Sequence, residues 1–263
     1  MVGSPTSPLA AKALLLDMDG VLYVGGELIP GAVETVECLR AAGVPFRFIT
    51  NTTTRTPESL LEKLAGFGLE VETAELFTAV SATLGYLRRK GRPSVHLLVR
   101  DAIRPLFAEF PEDGERPDFV VIGDIGARWD YETLNRVFNL LMQGTKLVSM
   151  HRNKFFQEPE GLRMDIGAFV AAFEYVADVS ATVVGKPSAA FFREAVRALG
   201  CDPEEVAIVG DDIDSDIGGG QDSGLRGVLV ETGKYRADYC RRSSINPDRR
   251  IPSIADLPAL LGL

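Results

Sequence analysis

The sequence has little cysteine and no long apolar run, and each shortage excludes a class of protein. Its three cysteines, Cys38, Cys201 and Cys240, are odd in number and lack CxxC spacing, so we expect neither a disulfide framework nor structural zinc. A reducing cytoplasm fits this cysteine usage best. No apolar stretch approaches the roughly 18 residues of a membrane-spanning helix. The N-terminus predicts a short leader before a first strand, and not a signal peptide.

Basic residues are also the minority, because 28 Lys and Arg stand against 37 Asp and Glu, a formal net charge of −9. This balance gives no electrostatic footprint for nucleic acid or for an anionic membrane. It does not exclude small anionic molecules, since a metal ion or a single lysine can reverse the sign locally. The expected partner is therefore a small molecule.

Short apolar runs alternate with helical patterns along the 263 residues, which predicts a parallel α/β protein. Its length favours one large or two modest domains. The strand-like runs are residues 13–16, 45–50, 95–99, 119–122, 146–150, 182–184, 206–209 and 227–230. The clearest helical patterns are residues 30–42, 56–66, 131–142, 168–176 and 189–199.

Polar residues directly follow four of these predicted strands. Because ligands bind at the carboxyl ends of parallel strands, the residues after each strand are informative, and the contents of these four strand ends complement one another. The residues are Asp17 and Asp19; Thr50, Asn51 and Thr52; Lys186; and Asp211, Asp212, Asp214 and Asp216.

Six carboxylates near one sheet edge require a cation. Two carboxylates about 4 Å apart repel by roughly 4 kcal/mol at an effective dielectric constant near 20. Oxygen ligands without nearby His or Cys favour a hard ion, Mg²⁺ above all. Lys186 supplies a second positive charge for an anionic substrate.

Each motif alone also has a plain structural interpretation. A DxDG segment occurs in turns, and acidic residues favour helix N-termini. Their order, each directly after a strand, favours function instead. An EF-hand loop starting at Asp212 would need Gly at Ile217 and Glu at Ser223. The sequence contains no GxGxxG and no P-loop motif.

These residues resemble the haloacid dehalogenase superfamily, whose four motifs are similar to DxDG, Thr-Asn, Lys and GDD-x3-D here. The segments NTTTRTPESLLEKL, EYVADVSATVVGKPSAAFF, GDDIDSDIGGGQDSGLRG and ETGKYR resemble its NagD-like branch, which includes phospholysine phosphohistidine inorganic pyrophosphate phosphatases. The resemblance extends from about Ala13 to Leu263. It implies a Rossmann-like parallel-sheet core (residues 1–80 and 181–263) with an inserted α/β cap (residues 81–180).

The resemblance implies a Mg²⁺-dependent phosphatase that acts on small phosphorylated metabolites. Asp17 would attack phosphorus and form an aspartyl-phosphate. Asp19 would protonate the leaving group and then deprotonate the hydrolytic water. The side chains of Asp17 and Asp211 and the main-chain carbonyl of Asp19 would hold the metal.

The remaining motif residues receive supporting roles from the same resemblance. Thr50, Asn51 and Thr52 would bind the phosphoryl oxygens, and Lys186 would neutralise charge on the transferring group. Asp212 and Asp216 would support Lys186 or metal-bound water.

The 134 residues between Asn51 and Lys186 are too many for one strand–helix unit. The resemblance implies that these residues contain a cap that determines substrate specificity and provides a surface for a possible homodimer. His151, Arg152 and Asn153 follow a predicted strand and are candidates to contact the leaving group. An ordinary solvated loop is an equal alternative for any one of them.

Two other functions stay open at this point. One is a phosphotransferase or mutase on the same core. The other is a receiver-type module that accepts phosphate on Asp without turnover. Receivers are about half this length, and their acidic pair precedes the Thr and Lys, whereas Asp211 and Asp212 follow Lys186 here.

Overall fold

The structure is a computed structural model that describes residues 8–158 and 161–263. The predicted leader falls mainly in residues 1–7, outside the described part. The chain divides into two compact units: unit 1 holds the chain up to Ile49, Leu61–Leu76 and Phe192–Leu263, and unit 2 holds Thr50–Leu60 and Phe77–Phe191. The predicted insertion, residues 81–180, falls within unit 2, and the predicted domain limits stay a prediction.

Strands and helices alternate along most of the chain, as the sequence patterns predict. A π-helical segment, Ile213–Gly218, follows the twelfth strand. The strands are β1 (Ala13–Asp17), β2 (Tyr23–Val24), β3 (Glu27–Leu28), β4 (Phe46–Thr50), β5 (Leu76–Thr78), β6 (Val95–Leu98), β7 (Phe119–Ile122), β8 (Lys146–Ser149), β9 (Phe155–Glu158), β10 (Gly161–Met164), β11 (Thr182–Val183), β12 (Val206–Gly210), β13 (Arg226–Val230) and β14 (Arg249–Ile251). The helices are α1 (Ala32–Ala41), α2 (Pro57–Gly66), α3 (Ala79–Arg89), α4 (Tyr131–Met142), α5 (Ile166–Ala177), α6 (Ala189–Arg197), α7 (Gly219–Gln221), α8 (Ala237–Arg242) and α9 (Leu257–Leu261).

The larger sheet has six strands in the order β14–β13–β12–β1–β4–β5. Its central strands, β1 and β12, are short apolar runs that are buried throughout. Such runs are typical of parallel strands covered on both faces. The register pairs Leu16 with Val209 and Asp17 with Ile49, so the carboxyl ends of β1, β4 and β12 share one edge. The predicted Rossmann-like parallel sheet is confirmed.

Unit 2 contains a second parallel sheet, in the order β11–β8–β7–β6. Asp130 is the N-cap of helix α4, and its side chain accepts a hydrogen bond from the Thr133 N–H (2.8 Å). Its apolar residues recur every three or four positions, and Val137 on α4 shares one buried core with Val170 on α5 and Ile122 on β7.

The predicted strand at residues 182–184 does not join the sheet of β1, β4 and β12. It is β11, and it pairs with β8 in the smaller sheet, Thr182 opposite Val148. The Gly185 N–H continues this pairing with the Met150 carbonyl (2.7 Å). A two-residue strand carries no pattern that indicates which sheet it joins, so contacts distant in sequence decide its place.

Two antiparallel hairpins complete the strands, β2 with β3 and β9 with β10. Among the described residues, no helix is both long enough and apolar enough to cross a membrane.

Candidate active site

Three buried carboxylates form a cluster in unit 1. Asp17 ends β1, Asp211 directly follows β12, and Asp216 lies in the π-helical segment. They offer ligand oxygens that all lie within 4.8 Å of one another, and the residues are 4%, 1% and 0% exposed. Carboxylates this close repel one another unless a proton or a cation compensates their charge.

Main-chain amides shape the loop that carries two of these acids. The Asp212 carboxylate accepts hydrogen bonds from the N–H groups of Asp214 (3.0 Å) and Ser215 (3.1 Å), so it caps the π-helical segment. The Asp216 carboxylate accepts from the Asp212 N–H (3.1 Å). The loop therefore folds back and brings Asp216 to the end of β12.

Two glycines with positive φ leave room for the Asp211 carboxylate. A Cβ atom on Gly20 (φ 90°) would lie 1.8 Å from Asp211 Oδ2, and one on Gly233 (φ 59°) would lie 2.1 Å from the same oxygen. Only glycine permits such a close approach in this backbone conformation. The glycine of DMDG is thus explained by its contact with an acid from the other end of the chain.

The unpaired oxygen of Asp211 indicates a cation site. Asp211 Oδ2 accepts from the Lys234 N–H (2.6 Å), but Oδ1 is buried and has no hydrogen-bond partner among the described residues. Burial raises the pKa of Asp211 well above its usual range, and the charges of Asp17 and Asp216 raise it further against the opposing effect of Lys234. A hard cation would satisfy the free oxygen, and the all-oxygen donor set fits Mg²⁺.

Lys234 is a partly buried cation beside this cluster. Its Nζ lies 3.4 Å from Asp212 Oδ2, and its side chain is 13% exposed. Burial opposes its charge, but Asp212, Asp211, Asp17 and Asp216 outweigh burial and raise the pKa of Lys234. Burial likewise opposes ionisation of Asp212, but Lys234 and the Ser215 and Asp214 amides outweigh it and lower the pKa of Asp212.

In unit 2, the Asn51 side chain joins two predicted site residues. Asn51 Oδ1 accepts from the Lys186 N–H (2.9 Å), and its Nδ2 donates to the Lys186 carbonyl (3.1 Å) and to Asn153 Oδ1 (3.0 Å). Asn51, Asn153 and Lys186 are 7%, 7% and 2% exposed. The oxygen and the nitrogen of the Asn51 side-chain amide therefore both form hydrogen bonds with the main chain of Lys186.

Thr50 forms a local turn at the end of β4. Its hydroxyl donates to Thr52 Oγ1 (2.9 Å) and accepts from the Thr52 N–H (3.0 Å). This turn is the side-chain chemistry typical of threonine between a strand and a loop.

The remaining cap candidates have protein partners. His151 is buried, its Nδ1 accepts from the Asn153 N–H (3.3 Å), and its Nε2 lies 3.8 Å from Asp165 Oδ1. Arg152 forms a bidentate pair with Glu174, at 3.1 and 2.5 Å. A leaving-group contact by Arg152 stays a prediction, and it requires this pair to open or to share its donors.

Comparisons with known proteins match the segments of the chain that carry these motifs. A family model described as haloacid dehalogenase-like hydrolase matches residues 14–110, and a second model of HAD-like hydrolases matches residues 183–257. Human haloacid dehalogenase-like hydrolase domain-containing protein 2 is 42% identical over 239 residues, 90% of each chain. The chain belongs to the haloacid dehalogenase-like hydrolase family. Phospholysine phosphohistidine inorganic pyrophosphate phosphatase from Xenopus laevis is 38% identical over 252 residues, 93% of this chain and 92% of the relative.

A solved structure of this family has the same architecture. The 4-nitrophenylphosphatase of Thermotoga maritima superposes with a TM-score of 0.88 at 28% identity, over 96% of this chain and 98% of that one. The predictions of a NagD-like haloacid dehalogenase-type phosphatase and of its fold are therefore confirmed.

The geometry places Asp216 beside two acids of the ligand set that the family resemblance implies. The implied set is Asp17, Asp211 and the Asp19 carbonyl, with Asp216 behind them. In the structure the Asp216 carboxylate lies with those of Asp17 and Asp211, and the Asp19 side chain is exposed. The predicted assignment of ligands and supporting residues stays a prediction.

Sequence reasoning gave Lys234 no role in the haloacid dehalogenase site. The segment ETGKYR carried part of the family resemblance, so a signal was present, but no pattern linked its lysine to the acidic pair. The link is a contact across 22 residues, from the loop after β13 to the loop after β12.

Substitution of Gly20 by Ala should reduce activity at least about a hundredfold. The new Cβ would overlap Asp211 Oδ2 and displace that carboxylate, and a 1 Å misplacement at a reacting centre costs about that factor. Phosphate release per folded enzyme is the measurement.

Gly25→Ala is the matched control, because Gly25 also has positive φ (58°) but has open space around it. It should lower stability by about 1 kcal/mol and leave activity within about twofold. Equal loss of activity in both variants would show that backbone strain, and not the contact with Asp211, is responsible.

Proposed function

We propose that this enzyme is a Mg²⁺-dependent phosphatase that hydrolyses small phosphorylated molecules through an aspartyl-phosphate on Asp17. The observation that carries the proposal is the buried Asp211 oxygen without a partner, in a cluster with Asp17 and Asp216. Asp17, Asp211 and the Asp19 carbonyl are the proposed ligands, with Asp216 as a further candidate. A bound Mg²⁺ stabilises negative charge on the phosphoryl group.

Two carboxylates divide the proposed chemistry. Asp17 attacks phosphorus while the leaving oxygen or nitrogen takes a proton from Asp19. Asp19 then removes a proton from a water molecule, which attacks phosphorus and frees phosphate and Asp17. The burial of Asp17 and the exposure of Asp19 support this division, because an exposed acid exchanges its proton readily with solvent.

Lys186, Thr50, Asn51 and Thr52 are the proposed phosphoryl-binding residues. Lys186 supplies positive charge, and hydroxyl and amide donors receive the phosphoryl oxygens. The hydrogen bonds between the Asn51 side chain and the main-chain N–H and carbonyl of Lys186 support a fixed position for this lysine. Asp212 and Asp216 support these groups.

The proposed substrate class includes phosphate esters, pyrophosphate and N-phosphorylated compounds. Its support is the similarity to a phospholysine phosphohistidine inorganic pyrophosphate phosphatase and to a 4-nitrophenylphosphatase. A cytoplasmic location also belongs to the proposal and is supported by three free thiols.

A homodimer that forms through residues 81–180 is a further part of the proposal. It is supported by two large exposed side chains in this segment, Tyr131 and Tyr175, which are 76% and 91% exposed.

A substrate panel tests the proposal. We expect the purified chain with Mg²⁺ to release phosphate from members of these three groups, to lose activity in EDTA, and to recover it when Mg²⁺ is restored. Full activity after exhaustive chelation would contradict the metal requirement. Phosphate transfer to an added acceptor without release to water would favour a phosphotransferase or mutase instead.

A further inference from the structure

Lys234 contacts the acidic cluster through two separate groups. Its main-chain N–H donates to Asp211 Oδ2 (2.6 Å), and its Nζ lies 3.4 Å from Asp212 Oδ2. The first contact is independent of the side chain, so it survives any substitution other than proline. The second contact places a positive charge next to the cluster, in a side chain that is only 13% exposed.

Several carboxylates lie close to this lysine. Asp17, Asp211 and Asp216 form the cluster, Asp212 adjoins it, and Lys234 contacts Asp211 and Asp212 directly. An ammonium group of this kind stabilises the acids when no metal is bound, since like charges repel strongly away from water. It also repels any further cation that enters the cluster. None of the steps proposed above uses Lys234.

We propose that Lys234 is a resident counter-ion that stabilises the metal-free acidic cluster and lowers its affinity for Mg²⁺. The residue thereby sets the Mg²⁺ concentration at which the enzyme becomes active. This inference rests on the proposed function, because it assumes that the cluster binds Mg²⁺.

The proposal predicts effects of opposite sign. Loss of the ammonium group should destabilise the metal-free protein and strengthen Mg²⁺ binding. A lysine that only stabilises the loop by packing would behave differently, since its loss would lower both the stability of the metal-free protein and the affinity for Mg²⁺.

Three variants separate charge from packing. Lys234→Met keeps the aliphatic stem and the N–H to Asp211 but removes the charge. Lys234→Arg keeps the charge. Lys12→Met is the matched control, because it makes the same change in net charge at a side chain that is 73% exposed and pairs with Glu205. Mg²⁺ affinity is measured by titration calorimetry, and thermal unfolding is measured in EDTA and in saturating Mg²⁺.

We expect Lys234→Met to bind Mg²⁺ about tenfold more tightly than the wild type and to unfold at a lower temperature in EDTA. Lys234→Arg and Lys12→Met should match the wild type within about twofold. Equal or weaker Mg²⁺ binding by Lys234→Met would overturn the proposal. So would a Lys234→Met protein that stays unfolded in saturating Mg²⁺, because the added cation should replace the lost charge. Absence of Mg²⁺ binding by the wild type would instead overturn the proposed function itself.

Discussion

Asp17→Asn should lower phosphate release about a thousandfold or more on every substrate while leaving the fold intact. Asparagine has the volume of aspartate, but its neutral amide is a poor nucleophile and does not form the aspartyl-phosphate. The measurements are steady-state phosphate release and acid-stable incorporation of labelled phosphate into the protein.

Asp222→Asn is the control for this substitution, because Asp222 is an exposed acid in the same unit. It should retain wild-type turnover within about twofold. If a well-folded Asp17→Asn protein kept more than a few per cent of activity, another residue would have to be the nucleophile.

Asp211→Asn should raise the Mg²⁺ concentration needed for half-maximal activity by about a hundredfold. The substitution removes one negative charge and one oxygen from the donor set. The same variant should be more stable than the wild type without metal, by about 1–3 kcal/mol, because a neutral amide does not repel the neighbouring carboxylates of Asp17 and Asp216. Activity against Mg²⁺ concentration and unfolding in EDTA are the two measurements.

The pair of results discriminates between explanations. Asp222→Asn is again the control, with no change expected in either measurement. A wild-type Mg²⁺ requirement in Asp211→Asn would remove Asp211 from the metal site. Lower stability of Asp211→Asn in EDTA would mean that the Asp211 carboxylate makes a stabilising interaction that a neutral amide does not replace.

The sequence predicts the buried strands and amphipathic helices well, since their local pattern matches their environment. The predicted ranges 119–122 and 131–142 coincide with β7 and α4. Continuous apolar runs and a 3.6-residue period are formed by neighbours in sequence, so no knowledge of distant contacts is needed.

Elements whose form depends on distant contacts were missed or misplaced. Helix α3 is an exception, because the capping box of Thr78 and Ser81 at its start is a local signal. The hairpin of β9 and β10 has exposed positions on β10 and therefore shows no alternation of apolar and polar residues. The sheet that β11 joins is decided by Val148 and Ser149, more than 30 residues earlier.

The candidate site divides in the same way. The two acidic segments are evident from the sequence because each begins at the end of a buried strand. The interaction of Asn51 with Lys186 was not predicted, because it joins residues 135 positions apart through an amide side chain. The position of Asp216 depends on the π-helical turn that returns it to the strand end, and the sequence carries no rule for that geometry.

The register of the larger sheet has a consequence for the order of folding. Leu16 on β1 pairs with Val209 on β12, so these neighbours are 193 positions apart (209 − 16), whereas Val95 on β6 pairs with Phe119 on β7. Long loops cost more entropy to close, and distant pairings form late. Pulse-labelled hydrogen exchange during refolding should therefore show protection of the amides that join β6 to β7 before protection of those that join β1 to β12.

During synthesis, β1 must wait for residue 210 before its second neighbour exists, although β4 can pair with it early. Until then one edge of β1 has no hydrogen-bonded neighbouring strand, and an exposed apolar edge of this kind pairs with strands from other chains. Truncation before Val206 should accordingly yield aggregates and not a smaller folded protein. The chain is therefore most exposed to aggregation in the interval between the synthesis of β4 and that of β12.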